Sequence, residues 1–444
     1  MPSSGPDPLG QALDERLRAA QREERLPSVS ASVFRGGDLL WSSALGLADV
    51  ASGEPATVDH AYRIGSITKT FTAVCVLQLR EQGRLELDAP LRAYLPEAPV
   101  GPTVRQALAH LAGLQREPPG EIWETMRPPT REELVAGLED AELVLGPGQR
   151  WHYSNLAYGL LGEIVARLAG GSFPKALRER VLDPLGLDRT ALRPARPVAT
   201  GYFVEPWSDG VRVERDLELT ETTAALGQLW STAGDLARWG SFLAVGDDRV
   251  LPPPVLDEMA RVAVMSDQEA WTVAWGLGLG LYRRGERVFA GHGGAMPGFL
   301  ASLVVSRRDA VGAVVLTNSG AQAKVTALAL DLAERALASP PEHGAWEPDA
   351  GAPPAVAALL GTWWTEGYEL VLSWRGGRLR SELLGADDWN RRSTFEQEGE
   401  GRWRCVEGRE QGELLRVVRD EQGAPVRLYF ATYPCTREPS TFGS

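Results

Sequence analysis

Residues 339–356, SPPEHGAWEPDAGAPPAV, carry five prolines and no hydrophobic period. Proline fixes φ and removes a backbone donor, so neither a regular helix nor a central strand runs through such a stretch. One continuous core therefore cannot occupy the whole 444-residue chain. The stretch reads as a linker between a large domain over 1–338 and a small one over 357–444. A chain of this length accommodates two or three domains, one with a sizeable core.

The patterns on its two sides differ. On the N-terminal side, Leu9, Leu13, Leu17 and Ala20 repeat at helical spacing, predicting a helix over 9–24. Two short strands, 28–34 and 38–47, follow around a Gly36-Gly37 turn. A strong helical pattern covers 66–82 and stops at Gly83. Residues 84–270 read as mainly helical, with candidates at 103–112, 130–139, 156–169, 173–181 and 233–244. Strands are expected at 275–283, 287–290, 299–307 and 312–318, then a helix over 321–338. This order predicts an α+β fold: an antiparallel sheet with the terminal helices on one face and the helical insertion on the other. Beyond the linker come short alternating runs at 361–364, 369–374, 379–384, 403–406, 414–418 and 426–431. They predict a small all-β domain of barrel type.

Composition removes several function classes. The formal net charge is −13, from 46 basic and 59 acidic side chains, so nucleic acid and anionic lipid are repelled. Three cysteines make no disulfide framework, and Cys405 and Cys435 are expected as free thiols. With five histidines there is little material for a metal centre, and no cofactor is expected. The start lacks a basic segment followed by an apolar run, and no apolar stretch reaches the ~18 residues of a membrane span. A cytoplasmic location is the expectation.

No serine lies in G-x-S-x-G, and neither a P-loop nor H-E-x-x-H is present. Three other elements can carry chemistry. Ser66 and Lys69 are three apart at the start of a helix, hence on one face. A serine hydroxyl is a weak nucleophile until a neighbour takes its proton, and a lysine whose ammonium is destabilised by burial can do so. Tyr153-Ser154-Asn155 precedes the 156–169 helix; a phenol beside an amine can exchange protons, and an amide can hold an ammonium or a carbonyl. Gly291-His292-Gly293-Gly294-Ala295 lies on an expected strand, where the glycines let a substrate backbone or acyl group approach the strand edge. Each element alone also fits a structural role: a capping serine, a buried tyrosine, a hairpin turn.

Together and in this order, the three elements resemble the serine β-lactamase and penicillin-binding-protein superfamily. The chain is most similar to the class C β-lactamase-like serine hydrolases, which include esterases, D-aminopeptidases and related amidases. The resemblance covers roughly residues 8–340, with support from Thr103–His110, Pro147–Gly170, Asp183–Leu187 and Ser231–Ala237. It implies Ser66 as the acylated nucleophile, Lys69 as its proton partner and Tyr153 as the general base. It implies Asn155 as the residue that positions Lys69 and the substrate amide, and the backbone N–H groups of Ser66 and Ala295 as an oxyanion hole. His292, Gly293 and Gly294 would line the substrate. β-Lactamases carry lysine where His292 stands, and histidine is largely neutral at pH 7, so the resemblance ranks esterase or amidase activity above antibiotic hydrolysis. The alternatives are a β-lactamase or a D-stereospecific, DD-carboxypeptidase-like peptidase. The C-terminal domain resembles appended lipocalin-like domains, and a ligand-binding protein using that domain is the non-enzymatic alternative. The expected partner is a small ester, amide or peptide, and an oligomer is compatible with the sequence. Tyr202, Phe203 and Trp207 could rim the site, whereas His110 and His152 are expected to pack and Glu121 and Glu124 have no evident partner.

Overall fold

The computed structural model describes residues 7–320, 323–339 and 351–440. The chain divides into two compact units, residues 1–341 and 342–444. The expected linker lies partly outside the described residues. Its end, Pro354–Ala357, forms a helical turn, and Val356 enters the core of the second unit with Leu359. The proline at the first helical position explains this, because its missing N–H has no helical partner there.

In the first unit, alternation along the strands builds a nine-stranded antiparallel sheet. In chain order the strands are β1 (Ser28–Arg35), β2 (Asp38–Asp49), β3 (Glu54–Pro55), β4 (Val264–Met265), β5 (Val273–Trp275), β6 (Gly280–Arg284), β7 (Arg287–Met296), β8 (Phe299–Ser306) and β9 (Val311–Thr317). Their spatial order is β3-β2-β1-β9-β8-β7-β6-β5-β4. The N-terminal strands thus join the sheet through β1 and β9, with Val29 opposite Thr317.

Successive side chains point to opposite faces. Val29, Ala31 and Val33 of β1 and Val311, Ala313 and Val315 of β9 pack under two helices, α1 (Pro8–Glu23) and a C-terminal one, Val325–Ala338. Val314, Leu316, Leu303 and Val305 face the other way, into a larger core. Among the helices that enter that core are α2 (Thr68–Glu81), α3 (Asn155–Ala169) and α4 (Ala233–Val245). Residues Thr68–Leu79 of α2 are all buried, and Phe71 stacks on Trp239 of α4 with ring centroids 3.9 Å apart. This encased helix is the fixed frame on which Lys69 stands.

Several expected boundaries move. The 103–112 helix is Val104–Leu108, because the chain then reverses through His110 at φ +56°. The 130–139 helix tightens into a 3₁₀ turn after Ala136, and the 173–181 helix widens into a π turn at Arg178–Leu182. The single strand expected over 275–283 is two, β5 and β6. They are broken at Gly278, whose φ is +79° and whose place would put a Cβ 2.4 Å from that of Ala73. The 321–338 helix begins at Val325; residues 321 and 322 lie outside the described ones.

The second unit is an eight-stranded antiparallel sheet running consecutively from Gly361–Thr365 to Tyr433–Cys435. A bridge between Trp364 and Thr436 nearly closes it into a barrel. Two strands, Arg392–Gly399 and Tyr433–Cys435, were not expected. The interior is filled by Trp363, Leu379, Phe395, Trp403, Leu415 and Leu428, each at most 5% exposed. Cys405 and Cys435 are free and buried in this core.

Candidate active site

Ser66 sits in a 3₁₀ turn, Gly65–Ile67, that leads directly into α2. The turn lies against β7. Gly65 has φ +50°, and a Cβ there would fall 2.5 Å from the Ala295 nitrogen. From the other side, a Cβ on Gly294 would fall 2.0 Å from the Ile64 carbonyl oxygen. Gly294 therefore admits the Ser66 turn itself; the sequence suggested that it would admit a substrate. The two glycines bring the backbones of Ser66 and Ala295 together at the exposed end of β7.

Tyr153 and Asn155 flank Ser154, the N-cap of α3, whose hydroxyl accepts from the Ala157 N–H and donates to the Gln115 carbonyl. Asn155 N–H donates to the Arg116 carbonyl at 2.6 Å, tying the start of α3 to the preceding loop.

These elements converge on Lys69. Its Nζ donates to Ser66 Oγ at 2.9 Å, to Asn155 Oδ1 at 2.8 Å and to the Leu226 carbonyl. It also lies over the Tyr153 and Tyr158 rings, 5.1 and 5.5 Å from their centroids. The side chain is fully buried. Burial pushes its ammonium down to about 7, with Arg116 acting the same way and Glu117 opposing. Near neutral pH the amine and the ammonium are thus comparably populated, as proton exchange with a hydroxyl 2.9 Å away requires.

Tyr153 is hydrogen-bonded to Ser66, and burial raises its phenol above the ordinary range despite that bond. His110, expected to pack, stacks on the Tyr153 ring at 4.2 Å and accepts the Ser154 N–H on Nδ1. It thereby fixes the plane of that ring. His152 donates its N–H to the His110 carbonyl at 2.8 Å.

His292 is 3% exposed. Its Nδ1 is 2.5 Å from the Gly293 carbonyl, an oxygen that can only accept, so Nδ1 carries the proton. Nε2 is then an acceptor, and among the described residues it has no partner. Burial, with Lys69 nearby, pushes this imidazole down to about 3, so it is neutral at pH 7.

A cavity of about 720 Å³ opens above these groups, lined by Ser66, Tyr153, Asn155, His292, Gly293, Gly294 and Ala295, while Lys69 lies beneath its floor. The expected site residues therefore meet in one place. Its walls are largely apolar and include Trp123, Trp151 and Trp275. Tyr202, Phe203 and Trp207 do not line it. The Tyr202 hydroxyl is held by the Val50 N–H, and Trp207 is 95% exposed on a separate hairpin. Glu117, Trp123 and the Leu226 carbonyl were missed. Glu117 lies in a loop, and Trp123 and Leu226 lie in single helical turns, Ile122–Thr125 and Ala224–Gly227, too short for a period or motif to mark them. Among the described residues no cluster of His, Cys, Asp and Glu could hold a metal ion, and no helix is long and apolar enough to cross a membrane.

The chain is similar to known proteins in sequence and in fold. A family profile described as Beta-lactamase covers residues 13–338. A second, Domain of unknown function (DUF7586), covers 352–437. Penicillin-binding protein 4 of Amycolatopsis lactamdurans is 30% identical over 383 residues, 80% of this chain and 97% of its own. Esterase EstB of Burkholderia gladioli is 33% identical over 222 residues, 46% of this chain and 55% of its own. The chain likewise spans about half the length of other curated relatives. The solved D-stereospecific amidohydrolase from Streptomyces sp. superposes with a TM-score of 0.62 at 28% identity, over 74% of this chain and 98% of that one.

Proposed function

The chain belongs to the beta-lactamase/transpeptidase-like family of serine hydrolases, and we propose that it cleaves esters or amides of small molecules or peptides through an acyl-enzyme on Ser66. The observation that carries this is the buried Lys69 amine, held near neutrality 2.9 Å from Ser66 Oγ. In the first half-reaction Ser66 Oγ attacks the carbonyl carbon and its proton passes to neutral Lys69. The N–H groups of Ser66 and Ala295 hold the oxyanion, at the helix start where backbone donors and the helix dipole favour negative charge. As the tetrahedral adduct collapses, Tyr153 gives its phenolic proton to the leaving group and recovers one from Lys69. The raised phenol supports this acid role for Tyr153 in place of the general base that the family resemblance implied. In the second half, water attacks the acyl carbon and yields its proton to Lys69. The carboxylic acid leaves and Ser66 is reprotonated.

The substrate preference follows from His292. A neutral imidazole offers no fixed cation to a penicillin carboxylate, which places short esters and amides above β-lactams. The names of the relatives, an esterase and a D-stereospecific amidohydrolase, support the same choice.

The test is turnover of p-nitrophenyl acetate and nitrocefin by the wild type and Ser66→Ala. The ester is expected to show the higher kcat/KM, the alanine variant to lose at least about 10³-fold, and a fluorophosphonate to add one label at Ser66. An alanine variant as active as the wild type would falsify the assignment, and nitrocefin as the better substrate would overturn the preference.

A further inference from the structure

Glu117 takes no part in the steps above, yet it is built into their support. It is a half-buried carboxylate on the cavity wall, its side chain 27% exposed. Its Oε1 accepts from Asn155 Nδ2 at 2.8 Å, the Trp123 side chain hydrogen-bonds to it, and the Arg116 guanidinium lies 3.5 Å away. The amide of Asn155 has two ends of nearly equal shape and opposite polarity. With Nδ2 tied to a carboxylate, Oδ1 must be the end that meets Lys69 Nζ. The flipped amide would set two donors against the amine and a carbonyl against a carboxylate.

Charge gives Glu117 a second route to Lys69. The titratable groups around that amine are His110, His292, Tyr153, Tyr158, Arg116 and Glu117. Burial keeps both imidazoles neutral and both phenols protonated, so they carry no charge near pH 7. Arg116 and Glu117 remain, with opposite signs. Arg116 is 63% exposed and screened by solvent, whereas Glu117 is held inward by Asn155.

We propose that Glu117 is a positioning residue: it fixes the orientation of the Asn155 amide that holds Lys69, and its negative charge works against burial, making Lys69 give up its proton less readily. The inference rests on Lys69 acting as the base for Ser66. An ionised Glu117 favours the ammonium, so removing its charge makes Lys69 a base at lower pH.

The experiment is the pH profile of kcat/KM for p-nitrophenyl acetate with the full chain, comparing wild type, Glu117→Gln and Glu117→Ala, with melting curves to establish folding. Glutamine keeps an acceptor for Asn155 and loses the charge. Its acid limb is expected to move to lower pH by roughly half a unit or more. Alanine loses the acceptor as well, and its plateau is expected at least about tenfold below that of glutamine. An acid limb unmoved in Glu117→Gln, or equal plateaus for the two folded variants, overturns the proposal. Ser66→Ala in the same assay separates the failures. If it is inactive while the Glu117 profiles coincide, only the role of Glu117 is lost; if it is active, the serine assignment itself is wrong.

Discussion

Lys69 stands in an environment that costs the fold stability. An unfolded lysine titrates near 10.5, and in the folded chain the amine titrates near 7. Between these values the unfolded state binds more protons, so stability falls as pH drops from about 10.5 to about 7 and holds that loss below. At pH 7 the penalty is on the order of 3–5 kcal/mol. Lys69→Met removes the penalty but leaves Asn155 Oδ1 and the Leu226 carbonyl without their donor, a loss of about 1–3 kcal/mol per group at every pH. The expected result is therefore a dependence and not a single number. The Tm of the methionine variant should gain on the wild type as pH is lowered from 10 to 7, while turnover is lost throughout. A Tm difference that stays flat over that range would show that the amine is not held neutral by burial.

At the scale of elements, the site is a contact between the Ser66 turn and β7, and that contact is backbone on backbone. Gly293 and Gly294 are neighbours with different duties. A Cβ at Gly293 meets nothing nearer than Thr326 Oγ1 at 3.5 Å, whereas one at Gly294 would lie 2.0 Å from the Ile64 oxygen. Gly294→Ala must push β7 off the turn, with an expected destabilisation of about 1–3 kcal/mol and loss of the Ser66–Ala295 alignment. Gly293→Ala should melt within about 0.5 kcal/mol of the wild type. Equal melting of the two variants would remove the close-approach explanation. This difference was not legible in the sequence, where both are simply glycines after a histidine. What could be read was whatever a short period fixes. Ser66 and Lys69 share a helix face, Tyr153 and Asn155 bracket a helix start, and the two faces of β1 and β9 alternate. What could not be read depends on irregular backbone, on contacts distant in sequence or on buried polar residues. Glu117 reaches Asn155 from a loop, the strand break at Gly278 answers to Ala73 far away in sequence, and Arg392–Gly399 buries Ser393 and Thr394, which hid its apolar face.

For the whole molecule, the proline-rich segment that divides the sequence also divides the cores. The clusters of residues 13–336 and the cluster of 356–435 share no member. Every residue placed in the site, from Ser66 to Ala295, belongs to the first unit. Large domains with their own core fold alone, and a barrel of the second unit's size has enough buried apolar surface to do the same. The chain ended after Pro341 is therefore expected to fold and to hydrolyse p-nitrophenyl acetate with kcat/KM within about threefold of the full protein. Residues 351–444 expressed alone should unfold cooperatively and hydrolyse nothing. Trp363, Phe395 and Trp403 fill the interior of the barrel. If the first unit folds with native-like melting yet loses most of its turnover, the second unit contributes to catalysis in a way that the site's own residues do not supply, and the assignment of the chemistry to residues 66–295 alone would have to be abandoned.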